Sequence, residues 1–310
     1  MFKRNPQRLK VTELAALQYI GLNGITQSCL SAIARQLSDL EEPVRKAALL
    51  SCNSTHGFLL FTEYHAVIAV KTGFSPGYSG EGPRGLAAAL TLLQIHNIDV
   101  EEYLVDRDYL VRLEQSCLLE LDIDAVANGH PVRPRRLYDY IHGHDEKESE
   151  GPEDLSRHYP MTIPFGLIDR RILDLAVKFR DGEDSAILSA FRRLEDLLRK
   201  RSGLAGEGSN LFSKIFLADD PLLTWDVPDR GEIKGRGNLF NAIYMAFRNA
   251  RAHREVTSAS SHALRELLLV NELYCLEAEA LTPAELKEKR DDEAFIEKTL
   301  SFLRTNPRRK

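Results

Sequence analysis

Apolar residues recur at three- and four-residue spacing over residues 12–22, 28–37 and 43–51, which predicts three short helices, the first closed by an Asn23-Gly24 turn. The period then changes. Residues 57–61 and 66–71 are compact apolar runs with β-branched members, separated by Thr62-Glu-Tyr-His65, and they read as a hairpin. Three helices followed by a hairpin is the order of a winged helix, so a winged-helix-like start is expected. Further on, a helix is predicted from Leu86, a strand over 98–105 and a helix over 108–114. The N-terminal part is therefore expected to be mixed α/β.

Beyond residue 159 the pattern is helical throughout. Ile187, Ala190, Phe191, Leu194, Leu197 and Leu198 form one apolar stripe, closed by Gly203. A short helix is predicted over 211–216. Prolines, glycines and the single tryptophan, Trp225, make residues 218–236 read as a long loop. A helix over 238–249 buries Leu239, Phe240, Ile243 and Phe247, and another covers 261–279. Thr282-Pro-Ala-Glu285 combines a capping residue, a proline at the first helical position and a reciprocal glutamate, so a last helix runs towards Leu303, ahead of a mobile tail. Helices with short connections and no strands make a bundle. Between the two patterns, residues 142–158 are acidic and poor in apolar side chains and are expected to be a solvated linker. The expected organisation is an α+β multidomain chain: a mixed α/β sensor or substrate-selecting domain over 1–141, the linker over 142–158, and a helical domain over 159–310.

Composition narrows the class. The chain has 310 residues, 43% hydrophobic and 28% charged, with no apolar run of the length a bilayer span needs. Its basic first residues lead directly into an amphipathic stretch without a signal-peptide core, so no membrane association and a cytoplasmic location are expected. Cys29, Cys52, Cys117 and Cys275 are scattered without a Cys-x-x-Cys pair and are expected to be buried small hydrophobes. His142, His144 and Asp145 sit in the acidic stretch where nothing fixes a metal geometry, so neither metal nor cofactor is expected. The net charge of −5 means that contact with nucleic acid must come from local cations.

Three places offer such chemistry. Gly80, Gly82, Arg84 and Gly85 lie in a glycine-rich stretch before a helix, an arrangement that can cradle a phosphate or ligand, although without a P-loop or dinucleotide pattern a tight structural turn is the first expectation. Arg133, Arg135 and Arg136 beside Tyr138 and Tyr140 can track a phosphate backbone or simply form a solvated edge. The third place is Ala246-Phe-Arg-Asn-Ala-Arg-Ala-His-Arg254. On a continuous helix, Arg248 and His253 would point about 140° apart. A break near Asn249 would bring them together. A histidine can then act as general base or acid near neutral pH, an arginine can offset phosphate charge and an asparagine can orient an oxygen. Arg251 and Arg254 are candidate substrate contacts beside them.

Phe191-Arg-Arg-Leu-Glu-Asp-Leu-Leu-Arg-Lys-Arg-Ser-Gly-Leu204, Leu211-Phe-Ser-Lys-Ile-Phe216 and Gly237-Asn-Leu-Phe-Asn-Ala-Ile-Tyr-Met-Ala-Phe-Arg-Asn-Ala-Arg-Ala-His253 together resemble the bacterial Ymh family of the HEPN superfamily. The signature of that superfamily is Arg-x4-6-His with a polar residue after the arginine, matched here by Arg248, Asn249 and His253. The resemblance implies a helical homodimer or higher homo-oligomer that cuts RNA without metal, with a composite Arg/His site, deployed in phage defence or as a toxin. It leaves the N-terminal domain to receive a trigger ligand or protein. The tyrosine found two residues after the histidine in nucleotidylation-controlled HEPN toxins is replaced by Glu255. The competing expectation is a nucleic-acid-binding regulator dimerised by an inactive HEPN-like domain.

Overall fold

In the computed structural model the described residues are 13–74, 81–142, 155–248, 251 and 260–305. The chain divides into two compact units, Met1–Pro160 and Met161–Lys310. The fold is α+β, a mixed sheet in the first unit and a helical second unit.

The first unit is built on a five-stranded sheet of order β1-β4-β3-β2-β5. Its strands are β1 (Gln18–Ile20), β2 (Val44–Cys52), β3 (Thr55–Thr62), β4 (Val67–Val70) and β5 (Asp99–Leu104). β2, β3 and β4 form an antiparallel meander, while β1 joins β4 and β5 joins β2 in parallel. The expected hairpin is present as β3 and β4, with Phe58 opposite Val70 and Phe61 opposite Val67.

Helices cover both faces of this sheet. Ala47, Leu49, Phe58, Leu60, Ile68 and Val70 share a core with α1 (Thr26–Leu37) and α2 (Glu81–Ile95), and α5 (Leu137–His142) packs against that core. Ala48, Leu50, Leu59 and Ala69 point the other way, into a core with α3 (Arg107–Glu114) and α4 (Glu120–Asn128). This double burial corrects the reading of residues 43–51 as a helix. A strand covered on both faces is apolar at successive positions, and its alanines and leucines then imitate a helical run. Residues 12–22 likewise hold a β-bridge at Leu14 and strand β1, so the winged-helix order is not realised. Most of the acidic stretch, residues 143–154 with His144 and Asp145, lies outside the described residues. Its end belongs to the first unit, where Leu155 is buried in the core and His158 meets Gln27.

The second unit contains α6 (Leu173–Val177), α7 (Glu183–Ser202), α8 (Gly208–Phe216), α9 (Arg230–Ile243), α10 (Ser260–Glu279) and α11 (Pro283–Thr305). Phe191 and Leu194 of α7, Phe212 and Phe216 of α8, Phe240 of α9, Leu267 and Tyr274 of α10 and the loop residue Trp225 form one core. Acidic residues open α7 and basic residues close it, complementing the helix dipole, before Gly203 turns the chain in the left-handed region. The expected loop over 218–236 ends earlier than its glycines suggest. Asp229 accepts a hydrogen bond from the Gly231 N–H, and α9 begins at Arg230. Gly237 lies where a Cβ would stand 2.7 Å from Leu217 Cδ2, so this glycine serves close helix packing. Arg171 and Arg201 both meet the buried Glu277, tying the start of the unit and the end of α7 to α10.

Candidate functional site

The regular α-helix of α9 stops at Ile243, and residues Tyr244–Arg248 form a π-helical turn. Such turns insert a residue into the ladder, and they occur often at functional sites. Departure from α-geometry therefore begins five residues before Asn249, the expected break. Asn249, His253 and Arg254 lie outside the described residues; Arg248 and Arg251 are within them.

Tyr244 opens the π turn and is buried between aromatic neighbours, with ring centroids 5.4 Å from Phe212 and 5.8 Å from Phe191, both edge-on. Its hydroxyl donates to Glu195 Oε1 at 3.2 Å, and the backbone N–H of Gly208 donates to the same oxygen at 2.7 Å. Glu195 is only 4% exposed. Burial, and then the Glu195 charge, push the Tyr244 phenol up to about 12, so it keeps its proton at neutral pH. One turn on, the half-buried Arg248 holds its guanidinium carbon 5.2 Å from the Tyr244 ring centroid, a cation–π contact. Among the described residues no carboxylate pairs with Arg248.

Arg251 takes the opposite course. Its side chain is 2% exposed, its Nε donates to the buried Glu266 of α10 at 2.6 Å, and its guanidinium also meets Asp184 at the start of α7. Where the sequence offered Arg251 as a substrate contact, the fold places its side chain between the buried Glu266 and the half-exposed Asp184. Arg251 instead anchors the motif segment to α7 and α10.

The other predicted cations also have internal work. Arg133 and Arg135 meet Glu101, Arg135 approaches Asp99 at 3.7 Å, and Arg136 meets Glu102 at 2.6 Å. Three arginines thus face three carboxylates, and the expected phosphate track carries no excess charge. The Val132 N–H donates to the Glu102 carbonyl, laying this segment along the outer edge of β5.

The glycine-rich stretch is divided. Gly80 lies outside the described residues, while Gly82, Arg84 and Gly85 belong to the first turns of α2 rather than to a loop. A Cβ on Gly85 would stand 2.0 Å from Thr26 Cγ2, so close crossing of α1 and α2 accounts for this glycine. Arg84 and Gly85 do line a small cleft of about 190 Å³ with Thr26, Gln27, Arg157 and His158.

Glu195, Tyr244 and Gly208 were not singled out by the sequence pattern. Glu195 follows Phe191 by four residues and so falls on the buried stripe of α7, which is the signal for a carboxylate turned inward.

Residues 178–274 match the family model described as a protein of unknown function (Hypoth_ymh). The match spans α7, α8, α9, the π turn, the whole Arg248 to His253 stretch and most of α10, so the second unit contains a Ymh-type region. No curated protein matches the chain. A chain of respiratory complex I from Thermus thermophilus matches at 19% identity over 38% of this chain and 96% of its own length. Its TM-score of 0.29 carries no argument about fold or function. Among the described residues no helix is long and apolar enough to cross a membrane.

Proposed function

We propose that the second unit is a HEPN-type endoribonuclease that works without metal as a homodimer, in phage defence or a toxin-like system of the cytoplasm. The observation that carries this reading is Arg248. It is a cation held by an aromatic ring, with no carboxylate partner among the described residues, at the end of a π turn that precedes Asn249 and His253 in the chain. The reading requires a further departure from α-geometry between Arg248 and His253, which an unbroken helix would hold about 140° apart.

In this reading His253 takes the proton from a ribose 2′-hydroxyl, the 2′-oxygen attacks phosphorus, and the P–O5′ bond breaks. The products are a 2′,3′-cyclic phosphate and a 5′-hydroxyl, the latter protonated by the His253 of a second copy. Arg248 offsets charge growing on the non-bridging oxygens, and Asn249 orients one of them. A single histidine does not serve both sides of the phosphorus readily, which motivates the two-fold pairing. The first unit receives the trigger or selects the substrate.

The full chain is expected to cut single-stranded RNA in EDTA and to leave 2′,3′-cyclic phosphate ends. His253→Ala should abolish cutting with oligomeric state unchanged by light scattering. A His253→Ala variant that cuts like wild type overturns the reading.

A further inference from the structure

We propose that Tyr244, Glu195 and Gly208 form a platform that positions Arg248 against an RNA phosphate, an inference that rests on the nuclease reading above. The three residues come from α7, α8 and the π turn that follows α9, and converge on one oxygen. Glu195 Oε1 receives both the Gly208 N–H and the Tyr244 hydroxyl. Arg248 stands over the ring whose hydroxyl this oxygen holds.

Each member has a property that general packing does not require. A carboxylate at 4% exposure is costly unless its hydrogen bonds are made, and an apolar residue would fill the same place in the stripe more cheaply. Gly208 has a φ of +53° and stands so close that a Cβ would lie 2.6 Å from Tyr244 Cε1. Any other residue at that position would strain the backbone and push the ring. The tyrosine is confined by Gly208 beside Cε1, by Glu195 at its hydroxyl, and by T-shaped contacts with Phe191 and Phe212. A ring so held gives Arg248 a fixed seat without neutralising it. A carboxylate directly on the guanidinium would compete with the phosphate, whereas a ring attracts the cation more weakly and takes up none of its charge.

Glu195, Gly208 and Tyr244 are therefore positioning residues. They act through Arg248.

The test uses the full-length chain with a short single-stranded RNA. Tyr244→Leu, which removes the seat, is expected to lower kcat by about a hundredfold, the scale of a misplaced catalytic group. Tyr244→Phe keeps the ring and should retain activity within about tenfold, with both limbs of the pH–rate profile unmoved. Glu195→Gln can still accept both hydrogen bonds and should rescue most of what Glu195→Ala loses. Folding of each variant is checked by its thermal transition, and RNA binding is read in a His253→Ala background. There Tyr244→Leu should weaken binding severalfold when Arg248 is present and add nothing once Arg248→Ala is in place.

Additive losses in that cycle, or wild-type kcat and binding in a folded Tyr244→Leu chain, overturn the platform while leaving the nuclease reading intact. Cutting by His253→Ala overturns the nuclease reading alone, because the binding cycle still reports on the platform. A wild-type chain that neither binds nor cuts RNA overturns both.

Discussion

Arg133, Arg135 and Arg136 in the first unit and Arg248 and Arg251 in the second occupy similar basic stretches beside aromatic residues, yet the fold uses them differently. In the first unit every arginine of the group meets a carboxylate of β5, the guanidiniums about half open to solvent and Glu101 and Glu102 buried beneath them. In the second, Arg251 is enclosed completely, while Arg248, three residues earlier, rests on a ring. What makes an arginine available to a phosphate is whether a carboxylate stands within about 4 Å of it, and the density of cations along the chain says little about that.

The sharpest way to break this comparison is at Arg251. Glu266→Ala leaves the guanidinium enclosed with only the half-exposed Asp184, and a loss of about 3–5 kcal/mol is expected from denaturant unfolding of the full chain. A loss below about 1 kcal/mol would place Arg251 among ordinary surface pairs.

A smaller effect is expected at Arg136, whose removal leaves the Glu102 carboxylate buried and short of a partner. Arg136→Met should cost about 1–3 kcal/mol at neutral pH. Burial pushes the Glu102 carboxyl up, but hydrogen bonds from Arg136, Ser51 and Tyr140 and the Arg136 charge outweigh it, so the group sits below its ordinary value. Its contribution to stability is therefore complete above the unfolded value of about 4.3 and is lost as pH falls through the folded one. Thermal unfolding against pH should show a shallower acid limb in Arg136→Met than in wild type. Equal limbs would separate Glu102 from the acid response.

The smallest effect belongs to Arg135, more than half exposed beside Asp99 and Glu101. Arg135→Ala should cost under about 1 kcal/mol and leave the salt dependence of RNA binding unchanged, whereas Arg248→Ala should reduce that slope. If Arg135→Ala reduces the slope as well, the first unit holds a phosphate contact after all.

What the chain disclosed in advance follows the same division. The helices of the second unit stand in water on one side, so α7, α10 and the capped start of α11 show clear periodicity. β2 is enclosed on both sides and shows none; its Ala-Ala-Leu-Leu centre reads as helix until the opposing cores are seen. The beginning of α9 was concealed by Gly231, Gly235 and Gly237, of which Gly237 answers to the neighbouring Leu217, distant from any local rule. Arg248 could be singled out from a linear motif. Its seat could not, because Glu195, Gly208 and Tyr244 are brought together only by the packing of three helices. Likewise, nothing local in the run from Arg133 to Arg136 reveals that its counter-charges wait on a strand some thirty residues earlier.

The segment lying along β5 also bears on how this protein behaves in a crowded solution. A sheet margin with bare peptide groups is an invitation to join strands from other molecules and so to aggregate. Here one margin is overlaid from Val132 onward and clasped by arginines, and the other is the three-residue β1. The sheet is therefore poorly suited to growing by strand addition.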